Sequence, residues 1–130
     1  MTKVEIVGDR LRLTVEGLDV VLAIKKSLEV PLAHVSGVEL GITEQAQAQL
    51  DKSIRLPGAY MPGIAIAGRF YREGKWVFWN IHKGERAITI ALHHEDYVSV
   101  VVEVAEPTQA ISDIRQALAG VPGGVRQDSD

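Results

Sequence analysis

The stretch with the most capacity for chemistry is His93-His94-Glu95-Asp96, with His82 upstream of it. Imidazole and carboxylate are the groups that hold zinc at suitable spacing. Adjacent residues of an extended strand point to opposite faces, so His93 and His94 do not easily share one ion. The same four polar residues suit a solvated turn joining two strands. The turn is the reading adopted; a metal site would require His82 to converge on the pair, and neither metal nor cofactor is expected. Ser27, Ser36, Ser53 and Ser99 stand in no recognisable nucleophile motif. Gly120, Gly123 and Gly124 follow a helical pattern rather than open one, which does not suit a phosphate loop. Catalysis through His82, His93 or His94 is therefore the weakest reading, and the chain is read as a non-enzyme.

Binding chemistry is better represented. Lys3, Arg10, Arg12, Lys25 and Lys26 could gather into a basic patch. Each basic group near an anionic surface contributes about 1 kcal/mol. Three or four would give roughly millimolar affinity, which is weak recruitment to an anionic membrane or a small anionic ligand. The same charges suit a solvated strand face. A second group is aromatic and apolar: Tyr60-Met61, in a stretch punctuated by Pro57-Gly58 and Pro62-Gly63, and Trp76-Val77-Phe78-Trp79. Along a strand Trp76 and Phe78 share one face and Val77 and Trp79 the other. One set belongs to the core. The other is covered by a neighbouring helix or the Tyr60-Met61 loop, or else it offers aromatic surface of the kind enriched at interfaces. Tyr60, Met61, Trp76 and Trp79 are accordingly the candidates for protein binding.

The elements that must position these groups are mostly strands. Val4 and Ile6, then Leu11, Leu13 and Val15, alternate with polar residues on either side of Gly8-Asp9, predicting an antiparallel hairpin over 2–16. Gly17–Ile24 is compatible with either a strand or a helical turn. Ser27–Leu32 and Val35–Leu40 read as strands, with Pro31 at an end or edge. Thr43, Glu44, Ala46, Ala48 and Leu50 predict a capped helix over about 43–52. Residues 54–63 read as a loop. Ile64–Phe70, Trp76–Trp79, Ile88–Leu92 and Val98–Val102 are further strands, separated by Arg72–Lys75, Lys83–Arg86 and His93–Asp96. The period then changes. Pro107 opens a helix whose Ile111, Ile114 and Leu118 make one apolar stripe, and Gly120 with Pro122 ends it. About eight short antiparallel strands in two packed sheets, capped by one C-terminal amphipathic helix, describe a mainly β barrel over residues 1–120, with a polar tail at 121–130.

Composition agrees with one globular domain. The chain has 130 residues, 46% of them hydrophobic and 24% charged, and no cysteine. No signal-peptide pattern or membrane-spanning run is seen, so a cytoplasmic protein is expected. With 14 Lys and Arg against 17 Asp and Glu the net charge is −3, which does not suit the counterion release that drives nucleic-acid binding.

Several segments taken in order carry a resemblance. They are Val30-Pro31-Leu32 before Val35–Leu40; Arg55-Leu56-Pro57-Gly58 with Pro62-Gly63-Ile64 and Gly68; Trp79-Asn80-Ile81-His82; Glu85-Arg86-Ala87-Ile88; and the final helix. From about Glu5 to Gly120 the chain resembles a group of uncharacterised bacterial proteins with a pleckstrin-homology-like (PH-like) domain. The resemblance implies a PH-like barrel and a binding rather than catalytic role, and carries no functional residue over. PH domains that hold phosphoinositides place several Lys and Arg around the first hairpin loop. Here that loop is Gly8-Asp9, which contains an acid. The resulting expectation is an interaction module for a protein or peptide, possibly another copy of itself.

Overall fold

The computed structural model describes residues 2–16, 27–51, 60–61, 65–82 and 84–121. The open question of Gly17–Ile24 lies outside these residues, as do Lys25, Lys26, most of the 54–63 segment and the tail beyond Val121. The first sheet is an antiparallel meander of β1 (Thr2–Val7), β2 (Arg10–Val15) and β3 (Ser27–Pro31). Gly8 turns the β1–β2 hairpin at φ 62°, a backbone conformation open to glycine at little cost. Alternation in β2 buries Leu11, Leu13 and Val15 on one face, as the period-2 pattern requires.

A single 3₁₀ turn, Leu32–His34, carries the chain into the second sheet. That sheet comprises β4 (Val35–Leu40), β5 (Tyr60–Met61), β6 (Ala65–Arg72), β7 (Lys75–Ile81), β8 (Ala87–Leu92) and β9 (Tyr97–Glu103) in the order β4-β8-β9-β7-β6-β5. β9 lies between β7 and β8, antiparallel to β8 and parallel to β7. The residues joining β7 to β8 therefore cross over the end of β9, spanning two strand spacings, or about 9.6 Å. The Glu103 carboxylate, at the end of β9 and buried, holds this crossing: it accepts the backbone N–H of His82 at 2.7 Å and of Gly84 at 2.6 Å. Charge-assisted bonds of this kind are roughly twice as strong as neutral ones.

The second sheet is buried on both faces. Its inner face meets the first sheet and α2 (Pro107–Ala119), so that Leu11, Leu13, Val30, Phe78, Ile90, Val100, Ile111, Ile114 and Leu118 share one core. Its outer face is covered by α1 (Glu44–Asp51), whose Ala46 and Leu50 pack with Phe70, Val77, Trp79 and Val101. Thr43 caps α1 as predicted, its hydroxyl accepting the Ala46 N–H at 3.1 Å. From the polar side of α2, Arg115 donates to the Val38 carbonyl at 2.8 Å, occupying an acceptor on the edge strand β4.

Three expectations are corrected. The barrel is not closed: among the described residues two separate sheets face each other. At the corner between them the backbone makes other bonds, Leu32 N–H to the Asp9 carbonyl at 2.8 Å and His93 N–H to the His34 carbonyl at 2.9 Å. The strands are not all antiparallel: β7 and β9 pair in parallel. Tyr60-Met61 is not part of a loop but a short edge strand paired with Ile66 and Ala65.

Glu103→Ala leaves two N–H donors without their carboxylate and is expected to lower stability by roughly 3 kcal/mol. Urea denaturation of the two proteins, compared at equal m-value, measures it.

Candidate functional site

The β6–β7 hairpin turns at Glu73 (φ 52°) and Gly74 (φ 82°), the pair of positive φ values of a tight two-residue turn. Its register sets Tyr71 opposite Trp76 and Arg69 opposite Phe78. These four residues share the face that continues the inner core towards the hairpin tip. Tyr71 and Trp76 meet with ring centroids 4.8 Å apart, and the Arg69 guanidinium carbon lies 5.1 Å from the Trp76 ring. Such cation–π contacts contribute about 0.5–1 kcal/mol at partly exposed sites. Arg69 also bonds the Tyr97 side chain, and Tyr97 stands edge-on to Phe78 at 6.3 Å. Phe78 and Tyr97 are buried, Trp76 and Arg69 half-buried, and Tyr71 is 37% exposed. The cluster thus runs from core to solvent on a rigid hairpin.

The sequence candidates fall unevenly on this surface. Trp76 belongs to it. Trp79 does not: it is fully buried beneath α1 and offers no ring to a partner. The strand is apolar throughout because both its faces are covered, one by the facing sheet and the other by α1. Tyr60 and Met61 form the short edge strand next to β6; their side chains lie outside those described. Arg69 and Tyr71 were missed by sequence reasoning, although Phe70-Tyr71 between polar neighbours marks a strand with an aromatic on each face.

Of the basic-patch candidates Lys3, Arg10 and Arg12 are described, and each has a carboxylate beside it. Lys3 lies 3.6 Å from Glu5, and Arg10 and Arg12 converge on Glu29 at 3.5 and 3.3 Å. Exposed pairs of this kind add little to stability, but they place two carboxylates among three cations and weaken the field that an anion would meet.

The histidines also rearrange. His82 belongs to the crossing held by Glu103, 3.8 Å from that carboxylate, and is not part of the 93–96 turn. The ring that joins His93 and His94 is instead His34, from the 3₁₀ corner, with centroids 6.0 and 5.8 Å from theirs. His34 Nδ1 lies 2.6 Å from Glu95 Oε2, and His93 Nδ1 lies 2.6 Å from Ser36 Oγ. Ser36 is the extra residue of a β-bulge in β4, where Val35 opposes Leu92 and Gly37 opposes Ala91. Ser36 and His93 do not extend to a triad, since Glu95 bonds His34. Among the described residues no group of three or more His, Asp or Glu is arranged to hold a metal ion as it stands.

An open cavity of about 370 Å³ lies between α1 and the outer face of the second sheet. Its wall includes Ser36, Thr89 and Ser99, whose hydroxyls are already engaged by His93, the Gly41 carbonyl and Gln49. No helix among the described residues is long and apolar enough to cross a membrane. Compared with protein-family models, curated proteins and solved structures, the chain gives no significant match in any of the three.

Burial pushes the Tyr97 hydroxyl above its usual value of 10.0, against the opposing effects of the Arg69 hydrogen bond and charge. A raised folded pKa stabilises the fold fully below pH 10 and is lost as pH climbs through the folded value. Stability is expected to fall as pH rises above 10, and Tyr97→Phe to flatten that fall, as read from urea midpoints along the pH series. By the same denaturation, Trp79→Ala is expected to cost about 3–5 kcal/mol, against about half that or less for the partly exposed Trp76→Ala.

Proposed function

We propose that the chain is a non-catalytic interaction module, PH-like in the succession of its sheets and its closing helix, that binds a protein or peptide partner. The observation that carries this reading is the Arg69, Tyr71 and Trp76 cluster, half-exposed and anchored to the core through Tyr97 and Phe78. Trp, Tyr and Arg are the residues that dominate binding hot spots. A surface already stacked and hydrogen-bonded loses little conformational entropy when a partner seats on it. The strand beneath the cluster supports the same reading. β6 runs from Ala65 to Arg72, and β5 pairs only with Ala65 and Ile66. Among the described residues, the rest of that edge has no strand beside it. An extended peptide added there would find main-chain partners, with alternate side chains facing Arg69 and Tyr71.

Selection of phage-displayed peptides on the purified chain tests the proposal. Selected peptides are expected to lose ten-fold or more in affinity on Arg69→Ala and on Tyr71→Ala, with circular dichroism checking that both variants are folded. Peptides that bind both variants as tightly as the parent chain would overturn it.

A further inference from the structure

The first sheet has an edge of its own. β1 is its outermost strand, and among the described residues no strand pairs with its far side. The phase of its backbone follows from the hairpin. Gly8-Asp9 is a two-residue turn, so the flanking pair, Val7 and Arg10, exchanges both backbone bonds. The register runs unbroken to Thr2 opposite Val15, and antiparallel pairs alternate. Lys3 and Glu5 therefore bond inward to β2, while the N–H and C=O groups of Thr2, Val4 and Ile6 point out from the sheet edge. Side chains alternate as well. Thr2, Val4 and Ile6 stand opposite Val15, Leu13 and Leu11, on the face that carries the core. Lys3 and Glu5 share the other face, 3.6 Å apart.

We propose that this edge joins the same edge of a second copy, β1 antiparallel to β1 about a two-fold axis, merging two three-stranded sheets into one. Such an isologous pair is centred on one residue facing itself. Centring on Lys3 or Glu5 sets like charges directly opposite, which is destabilising. Centring on Thr2 or Ile6 overlaps only the strand ends. Centring on Val4 sets Lys3 against Glu5 of the second copy on both sides of the axis, and opposite charges so placed stabilise a sheet. With the Lys3–Glu5 contact along each strand, four charges then alternate in sign around the axis. Val4 is also a residue whose backbone groups point outward, so Thr2, Val4 and Ile6 all find main-chain partners in that register. Natural edge strands are kept apart by prolines, bulges or charge. β1 has no proline and no bulge, and its one lysine is matched by Glu5. The register also places Ile6, exposed in the single chain, opposite Thr2 of the second copy. Thr2 lines an open cavity of about 270 Å³ between β1 and the start of α2, whose wall includes Val4, Val104, Ala105 and Ala110. The exposed isoleucine of each copy is thereby brought to the apolar wall of the other's cavity.

Sedimentation equilibrium of the purified chain over a concentration series tests the pairing. A mass of two chains is expected, falling to one on dilution. Lys3→Glu and Glu5→Lys each set like charges opposite one another at both pairs, and each is expected to raise the dissociation constant about ten-fold or more. Mixed together, the two variants regain opposite charges at both pairs, and the mixture is expected to associate at least ten-fold more tightly than either variant alone. Both side chains reach solvent, and circular dichroism establishes that each variant is folded. A single-chain mass at every concentration would overturn the proposal. So would a dimer that tolerates both charge reversals, which would place the interface elsewhere, or a mixture no tighter than its components.

Discussion

Two short bonds to one buried carboxylate allow a strand to be inserted between its two predecessors. β7 and β8 follow each other in sequence, and a plain hairpin would pair them. Instead β9 occupies the space between, and residues 82–86 must cross over its end. The crossing leaves backbone N–H groups over the sheet end, where an unpaired donor costs about 1–3 kcal/mol. Glu103 accepts two of them. It arrives on β9 itself, so the group that holds the crossing is supplied by the strand that makes the crossing necessary.

Much else follows from a central β9. A parallel pair at the middle of a sheet is found with both faces covered. Here α1 covers one face and the first sheet with α2 the other. Trp79 is therefore a core residue rather than a contact surface. Aromatic exposure moves to the hairpin tip, where Tyr71 and Trp76 extend past the main packing and Arg69 ties them back to Tyr97. At the same end of the sheet, the chain turns from β8 into β9 through His93–Asp96, and the Asp96 carbonyl accepts the Trp76 N–H at 3.1 Å. That turn lies against the 3₁₀ corner between the two sheets and brings three imidazoles together. The aromatic cluster and the histidine cluster are thus both consequences of strand order.

The local elements were legible in the sequence wherever a single period dominated. The alternation of Leu11, Leu13 and Val15, the Thr43 cap and the Ile111, Ile114, Leu118 stripe each predict the element observed. Strand order was not legible, because Glu103 reads as one acid among many until its partners His82 and Gly84 are placed beneath it. One signal was available: Trp76–Trp79 and Val100-Val101-Val102 are apolar without alternation, as strands buried on both faces are, and these are the two strands that pair in parallel. Of the candidate site, Trp76 was found by type. Tyr71 and Arg69 join it only through the β6–β7 register. His34 joins His93 only through the corner and the bulge at Ser36, neither of which has a local signature.

The central claim, that β9 lies parallel to β7 and separates it from β8, is tested most directly by interstrand proton contacts in a NOESY spectrum of the labelled protein. Parallel and antiparallel ladders place their α and amide protons differently. The structure predicts parallel-type amide and α-proton contacts between Phe78–Asn80 and Val100–Val102, with no close α–α pairs joining β7 to β8. Strong α–α contacts between Trp79 or Asn80 and the β8 residues Ile88–Ile90 would mean that β7 and β8 form an ordinary hairpin, and would contradict the account.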